Sequence, residues 1–422
     1  MKKILTVIVA IVATVGVFFA GYFVGTYTDK DVATLKFVLE NYKRYYLNED
    51  ENYLDIMIDS LLLGDKYSEY YSKEEYEIIK KSAEGKQAGV GISINEKTFE
   101  IVRVVGKSTA EKTGVIVGGV ITAYKKFNQS EYVNAIKMED FNKFMSTVGV
   151  DEEICLKVLY KKEEEFKIKK QEYQETFVSY VDTSGAFKFS DESGTMQMVS
   201  YNDDILALLD EQTAYLKYTS FNGRLSNLSG SVKQFETVLK KFKENKKSKL
   251  IIDLRGNGGG FMDIMCQIAS HLIGTNDSSA LVSKAVYKDG KVDKFTAQKI
   301  KYNDYDFDRI VFLADDGTAS ASEALIGACL DYDSRDVVRV VLSKNADGSY
   351  KTYGKGIMQT TIEDVSGSAI KLTTANIYWP KSEICIHEIG INKSIEKYKN
   401  KIIEAPFISG VDYELLYALE NL

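Results

Sequence analysis

The sequence predicts a multi-domain α+β chain whose C-terminal half is an α/β layer. Three patterns support this prediction: apolar residues at helical spacing over 32–82, short strand-like runs over 86–172, and apolar strands alternating with helices further along. At 422 residues the chain is long enough for two or three domains. We therefore expect segments at 1–31, 32–85, 86–172 and 173–422.

Composition narrows the class of protein. The chain has 54 Lys and Arg against 61 Asp and Glu, and its net charge of -7 is spread without a basic stripe, so nucleic-acid binding is not expected. The four cysteines, Cys155, Cys266, Cys329 and Cys385, lie far apart and form no CxxC pair. A metal site or a dense disulfide framework is therefore not expected, and we expect the cysteines to be small core residues.

The first 31 residues indicate the compartment. Lys2 and Lys3 precede an uncharged run over 4–24, which is long enough to span a bilayer. Because positive residues stay on the cytoplasmic side, the rest of the chain is expected outside the cell membrane. A cleaved signal peptide is the alternative, but it needs small residues where Phe18, Phe19 and other aromatic residues stand here. We expect an uncleaved, single-pass transmembrane signal-anchor.

The next two segments differ in the spacing of their apolar residues. Helices are predicted over 32–85, with a turn at 64–68. Residues 86–172 predict a small domain of short strands and two helices, one of which ends at Gly114. The polar stretch 173–213 is expected to be a connector with strand-like pieces.

The α/β layer begins near residue 214. We expect a strand at 214–218, an amphipathic helix at 231–244 and a buried strand at 249–254. A further strand at 310–313 leads into a helix that starts near Ser322.

A glycine-rich turn follows the strand 249–254. Its three successive glycines, Gly258, Gly259 and Gly260, would let backbone N–H groups approach a ligand closely. A phosphate-binding loop is the obvious alternative, but the Lys-Ser or Lys-Thr pair that it requires does not follow. A tight turn without function is equally compatible with the sequence.

A second turn, at 317–323, contains two serines. Either Ser320 or Ser322 could cap the following helix. A serine at a helix N-terminus is also well placed for nucleophilic attack, because free N–H groups and the helix dipole stabilise an oxyanion. The two histidines, His271 on an apolar helical face and His387 on a strand-like edge, are expected to be packing or surface residues, so a Ser-His-Asp triad is unsupported.

Lysine is the alternative base, provided that burial lowers its pKa toward neutrality. Lys355 lies between two glycines, in a stretch predicted to be strand-like as far as Gln359. Gln359 lies four positions after Lys355, and its side-chain amide could hydrogen-bond to the amine and orient it.

These motifs resemble those of the C-terminal processing peptidases, the tail-specific serine proteases with a Ser-Lys dyad. The resemblance extends over nearly all of 35–422 and is carried by the sequence motifs at 89–92, 251–259, 318–323 and 354–359. It implies that Ser320 is the nucleophile, Lys355 the base and Gln359 its orienting partner. The implied oxyanion-hole residues are Gly258, Gly259 and Ala321, and the implied substrate-binding loop of a PDZ domain is Gly89, Val90, Gly91 and Ile92.

The resemblance also implies a crotonase-like, ββα-type peptidase core with a C-terminal helix behind the PDZ-like domain. No metal or organic cofactor is implied, and the implied substrates are protein or peptide C-terminal tails. A homodimer and membrane attachment through the N-terminal helix are further expectations. A catalytically inactive PDZ-bearing scaffold on the same fold is the alternative function, and a nucleotide-binding α/β protein is a third.

Overall fold

The computed structural model describes residues 30–46, 53–62, 64–95, 98–105, 108–181, 187–189, 209–223, 230–275, 277, 279–298, 307–406 and 412–422. The chain divides into two compact units, residues 1–70 and 71–422. The expected membrane span at 4–24 lies outside the described residues. Among the helices that are described, none combines the length and apolar character needed to cross a membrane.

The first unit contains α1 (Lys30–Tyr45) and α2 (Tyr53–Leu62). Both helices are predicted by the apolar spacing of their residues. The turn expected at 64–68 is also present, where Asp65 accepts hydrogen bonds from the Tyr67 amide and the Ser68 hydroxyl. Helix α1 has no buried residue. Short strand β1 (Glu69–Tyr71) crosses the boundary between the units.

The second unit begins with α3 and a set of short strands. In chain order these are α3 (Lys73–Ala83), β2 (Lys86–Gly89), β3 (Ile92–Ile94), β4 (Ile101–Val104), α4 (Thr109–Lys112), β5 (Val120–Lys126), β6 (Val133–Asn134), α5 (Met138–Ser146), β7 (Glu153–Leu159), β8 (Glu163–Lys169) and β9 (Gln171–Gln174). Strands β6, β5, β7 and β8 form an antiparallel sheet in that order, while β2 pairs with β9 and β3 with β4. This part has its own apolar core, which includes Ile101, Ile154 and Ile168.

The rest of the unit alternates strands and helices. In chain order these are β10 (Val178–Val181), β11 (Phe187–Phe189), β12 (Thr213–Tyr218), α6 (Ser231–Glu244), β13 (Lys249–Asp253), α7 (Met262–Leu272), β14 (Leu281–Tyr287), β15 (Val292–Thr296), β16 (Arg309–Ala314), α8 (Ala321–Tyr332), β17 (Val338–Leu342), β18 (Ile357–Glu363), β19 (Ala369–Tyr378), a 3-10 helix (Glu396–Lys401), β20 (Ile402–Glu404) and α9 (Tyr413–Glu420). The main sheet has the order β11-β10-β12-β13-β16-β17-β20. Its strands from β12 to β20 are mutually parallel, so the predicted α/β layer is confirmed.

A second, antiparallel sheet lies in the same unit. Strand β18 pairs with β19, β19 with β14, and β14 with β15. One apolar core joins helices α6, α7 and α8 to both sheets; its fully buried side chains include Phe235, Leu250 and Phe312, with Trp379 at 1% exposure. This arrangement places the β18–β19 hairpin beside the C-terminal edge of the parallel strands.

Two local predictions are wrong. Lys355 is not in a strand, because residues 351–356 have no regular structure and β18 begins only at Ile357. His387 lies in a turn rather than on a strand edge. By contrast, His271 is buried in α7 as a packing residue, and the four cysteines are free, three of them buried and Cys385 partly buried.

Candidate active site

The parallel strands bring the two predicted turns side by side. Asp253, the last residue of β13, pairs with Leu313 near the end of β16, so the chain leaves both strands at the same edge of the sheet. The carboxyl edge of parallel strands is where α/β proteins build their sites. Asp315 ties the turns together, because its Oδ1 accepts from the Gly256 amide at 2.8 Å and from the Gly317 amide at 3.0 Å.

Ser320 occupies a strained position between β16 and α8. Its backbone angles are φ 58° and ψ -117°, in the N-cap position of α8. Positive φ at a residue other than glycine costs on the order of 1–3 kcal/mol and is concentrated at functional sites. A strained turn between a strand and a helix is also how other hydrolases expose a nucleophilic serine. The partly buried Ser320 lines a cleft in the second unit.

Ser322 is placed differently. Its side chain is fully buried, and its hydroxyl donates to the Asn257 carbonyl oxygen at 2.9 Å. Ser322 therefore connects the nucleophile turn to the glycine loop and has no access to a substrate. Of the two serines, the structure leaves Ser320 as the candidate nucleophile.

The glycine loop corrects one predicted oxyanion donor. The Gly259 amide already donates to Asn257 Oδ1 at 2.9 Å, and Asn257 is itself held by a bond from its Nδ2 to the Tyr218 carbonyl at 2.8 Å. Gly259 is therefore not a free donor. The amides of Gly258 and Ala321 have no acceptor among the residues that the structure describes, so they remain the candidate pair.

Gly259 has a steric role instead. Its φ of +99° lies in the left-handed region, and a Cβ there would lie 2.8 Å from Ser320 Cβ and 2.9 Å from the Ala321 nitrogen. The glycine loop thus packs directly against the turn that carries the candidate nucleophile. A tight turn without function would not explain this contact.

The segment around Lys355 runs along the other side of the nucleophile turn. The Tyr353 amide donates to the Thr318 carbonyl at 3.0 Å. A Cβ on Gly356 would lie 2.5 Å from the His387 nitrogen, so close backbone packing explains a glycine beside the lysine. Lys355 itself is partly buried and lines the same cleft as Ser320.

Sequence reasoning missed the role of Glu323. This fully buried side chain accepts hydrogen bonds from the amides of Ser320, Gly354 and Lys355, each at 2.9 Å, and from the Thr352 hydroxyl at 2.5 Å. The Ser-x-x-Glu spacing is the signature of a helix capping box and could have indicated the bond to Ser320. No pattern in the sequence indicates the other three bonds.

The cleft has a volume of about 660 Å³. Its lining comprises Ser220, Asn222, Gly258, Gly259, Gly260, Phe261, Met262, Asp263, Phe295, Ser320, Lys355, Ile357, Met358, Gln359, Thr361, Lys371 and Ile377. Many of these side chains are apolar, as in most binding clefts. The structure therefore brings together Ser320, Lys355, Gln359 and the glycine loop, a set that spans about a hundred residues of the chain.

The side chain of Gln359 bonds across the β18–β19 pair, where its Nε2 donates to Thr373 Oγ1 at 3.3 Å. Catalytic hydrogen bonds often tighten only when substrate is bound. The structure contributes the cleft that Ser320, Lys355 and Gln359 line together.

An ion-pair network around Arg255 holds the start of the glycine loop in place. Arg255 contacts the fully buried Asp253 at 2.7 Å and Asp412, next to α9, at 2.8 Å. Burial raises the pKa of Asp253, but the charges of Arg255 and Lys217 and the hydrogen bonds from Arg255 and Tyr215 together outweigh it, so the net shift is downward. The first residue of the loop is thus anchored to the C-terminal helix.

The predicted tail-binding loop joins β2 to β3 and lies far from the cleft residues in the sequence. Val90 is buried, and Gly91 has φ +84° with no space for a Cβ, which would lie 2.1 Å from Ser108 Cβ. The Val90 and Gly91 amides find no acceptor among the described residues. Gly89 ends β2 and Ile92 begins β3, which pairs with β4 and with no other described strand.

Comparison with known proteins supports the same chemistry. Residues 212–397 match the model of peptidase family S41, and this range contains the glycine loop, the nucleophile turn and Lys355. The match extends over less than half of the chain, and over that range the chain is similar to the S41 peptidases. The protein is a serine-type peptidase, and the predicted resemblance to C-terminal processing proteases is confirmed.

Curated relatives match most of this chain. A probable CtpA-like serine protease of Staphylococcus aureus (strain N315) is 28% identical over 402 residues, covering 92% of this chain and 70% of that protein. A counterpart in Staphylococcus saprophyticus is 26% identical over 376 residues, 84% of this chain and 64% of that one. Among solved structures, a putative S41 protease from Bacteroides fragilis covers 89% of this chain and 90% of its own, with a TM-score of 0.53 and 15% identity, which shows a shared fold.

Proposed function

We propose that this protein is a Ser-Lys endopeptidase that recognises the C-terminal tails of proteins and peptides and hydrolyses peptide bonds outside the cell membrane. The observation that best supports this proposal is that Ser320 and Lys355 line the same cleft. Ser320 is also held in a strained turn at the start of α8. Kinship with CtpA-like serine proteases supports the same chemistry.

In the proposed mechanism, the neutral amine of Lys355 takes the proton of the Ser320 hydroxyl as Oγ attacks the scissile carbonyl carbon. The Oγ–C bond forms and the carbonyl oxygen becomes an oxyanion, which the Gly258 and Ala321 amides stabilise. The protonated lysine then gives its proton to the leaving nitrogen, and the C–N bond breaks. A water molecule, deprotonated by the same amine, then attacks the acyl carbon. The Oγ–C bond breaks, the new carboxyl product leaves, and the protonated lysine returns its proton to Ser320 Oγ. Gln359 orients the amine when substrate is bound.

We further propose that residues 86–172 form a PDZ domain that binds substrate tails. Two observations support this function: the Val90 and Gly91 amides have no acceptor among the described residues, and one edge of β3 has no described partner strand. Free loop amides can hold a terminal carboxylate, while an open edge accepts an extended peptide as an added strand.

The extracytoplasmic location follows from the lysines at the N-terminus and the apolar run over 4–24. External protease added to intact spheroplasts should remove the catalytic unit from the cell. Protection of the whole chain would contradict this location.

The test of the function is a pair of peptides that differ only at the C-terminus. The free acid should be cut faster than its amidated twin, because amidation removes the charge that the loop amides hold. Ser320→Ala should abolish cleavage of both peptides. Equal rates for the two peptides would refute tail recognition, and cleavage by Ser320→Ala would refute the nucleophile.

A further inference from the structure

The Glu323 carboxylate links two segments that the proposed reaction must keep together. Oε2 accepts from the Ser320 amide and from the Lys355 amide, each at 2.9 Å. Because both amides bond to this one oxygen atom, their nitrogen atoms cannot lie further apart than twice that bond length. Oε1 accepts from the Gly354 amide at 2.9 Å and from the Thr352 hydroxyl at 2.5 Å.

Helix capping alone does not explain this arrangement. A capping box needs one bond from the glutamate to the N-cap amide, and in α3 the equivalent glutamate accepts from its N-cap residue. There the exposed Glu75 accepts from the Ser72 amide at 2.9 Å and from the Ser72 hydroxyl at 2.8 Å. In α8 the equivalent Glu323 is fully buried, and three of its four donors come from residues 29 to 32 positions later.

Burying this carboxylate is unfavourable unless it is well paired. Burial raises the pKa of Glu323, and its four hydrogen-bond donors act in the opposite direction. An ionised carboxylate has lone pairs for all four donors, whereas a neutral carboxamide presents N–H groups to one pair of them. The site therefore requires that both oxygen positions of the side chain be hydrogen-bond acceptors. Only a carboxylate on a side chain of this length meets that requirement.

We propose that Glu323 is a positioning residue that holds the Ser320 turn and the Lys355 segment at a fixed separation. The proposal rests on the Ser-Lys mechanism, since the link matters for catalysis only if these two residues react together. Misplacing a reacting group by about 1 Å can cost on the order of 100-fold in rate. The contribution should appear in kcat, because the carboxylate is not in the cleft and does not contact the substrate.

The matched control is Asp331, near the other end of the same helix. Its side chain is also fully buried, and it accepts from the Lys381 and Ser382 amides at 2.8 and 2.9 Å and from the Ser382 hydroxyl at 3.0 Å. It does not line the cleft. Asp331→Asn therefore removes a comparable buried carboxylate without touching the proposed machinery.

The experiment compares Glu323→Gln, Glu323→Asp and Asp331→Asn with the wild-type protein. Both Glu323 variants should lower kcat about 100-fold with KM within about threefold, while Asp331→Asn loses thermal stability but keeps kcat. If Glu323→Gln does not fold, Glu323→Asp, which keeps the charge but not the reach, gives the kinetic answer. Wild-type kcat in either folded Glu323 variant would overturn the proposal.

Amide hydrogen exchange separates this inference from the proposed function. The Lys355 amide should exchange faster in the Glu323 variants than in the wild type or in Asp331→Asn, whether or not the protein cleaves peptides. Unchanged exchange at Lys355 would overturn the link itself. Absence of cleavage by the wild-type protein, with exchange altered as expected, would instead refute the Ser-Lys mechanism.

Discussion

Replacing Gly259 with alanine should displace the turn that carries Ser320. The new Cβ would lie 2.8 Å from the Ala319 carbonyl oxygen, 2.8 Å from Ser320 Cβ and 2.9 Å from the Ala321 nitrogen. Two of these three atoms belong to the backbone, so no flexible side chain can move aside. The backbone φ of +99° is also unfavourable for alanine.

The expected cost combines both effects. A left-handed conformation costs an L-residue roughly 1–2 kcal/mol, and an added methyl group in a packed site costs about 1–3 kcal/mol. Gly259→Ala should therefore lower the free energy of unfolding by about 2–5 kcal/mol, measured by urea denaturation. Cleavage of a peptide substrate should fall on the order of 100-fold in kcat/KM, because the nucleophile moves.

Gly258→Ala is the control for stability. A Cβ on Gly258 meets nothing within 4 Å and its φ is not left-handed, so its free energy of unfolding should stay within about 0.5 kcal/mol of the wild-type value. If Gly259→Ala is as stable as Gly258→Ala and keeps kcat/KM within threefold, the glycine loop does not support the nucleophile turn.

Three further variants test separate parts of the site. Ser320→Ala should abolish cleavage at a stability cost no greater than that of a lost helix cap, about 0.5–2 kcal/mol, whereas inactivity of Ser322→Ala alone would move the nucleophile to Ser322. The wild-type kcat/KM should rise with pH as the lysine loses its proton. Lys355→Arg cannot supply a neutral base and should be inactive, so retained activity in this variant would exclude the lysine as base. Arg255→Ala should destabilise the protein by about 3–5 kcal/mol in urea denaturation, because it leaves the buried Asp253 carboxylate without its cation, and a loss below about 1 kcal/mol would contradict that pairing.

The elements with a strong local signal were predictable from sequence. Helix α6 spans the predicted residues 231–244, because its apolar spacing is regular and its limits are set by local chemistry. The strand ending at Asp253 was predictable from its continuous apolar run. The site residues Ser320 and Lys355 were identified through a family resemblance, since a lone serine or lysine has no signal of its own.

What sequence could not show depends on contacts between distant segments. Gly259 was expected to donate to the oxyanion, and only the structure shows that Asn257 already accepts from its amide. Lys355 was expected in a strand, but packing of the neighbouring Gly356 against His387 keeps this segment irregular. The role of Glu323 was missed because three of its hydrogen-bond donors follow it by about thirty residues, beyond the reach of any local pattern.

The role of Ser320 as nucleophile is measured most directly by covalent labelling with an active-site-directed serine acylating reagent, with the modified residue located by peptide mass spectrometry. One label, on Ser320, is expected in the wild-type protein and none in Ser320→Ala. Labelling should be much slower in Lys355→Arg, since the hydroxyl then lacks its base. Labelling of Ser322, or no labelling of folded wild-type protein, would contradict the assignment of Ser320 as nucleophile.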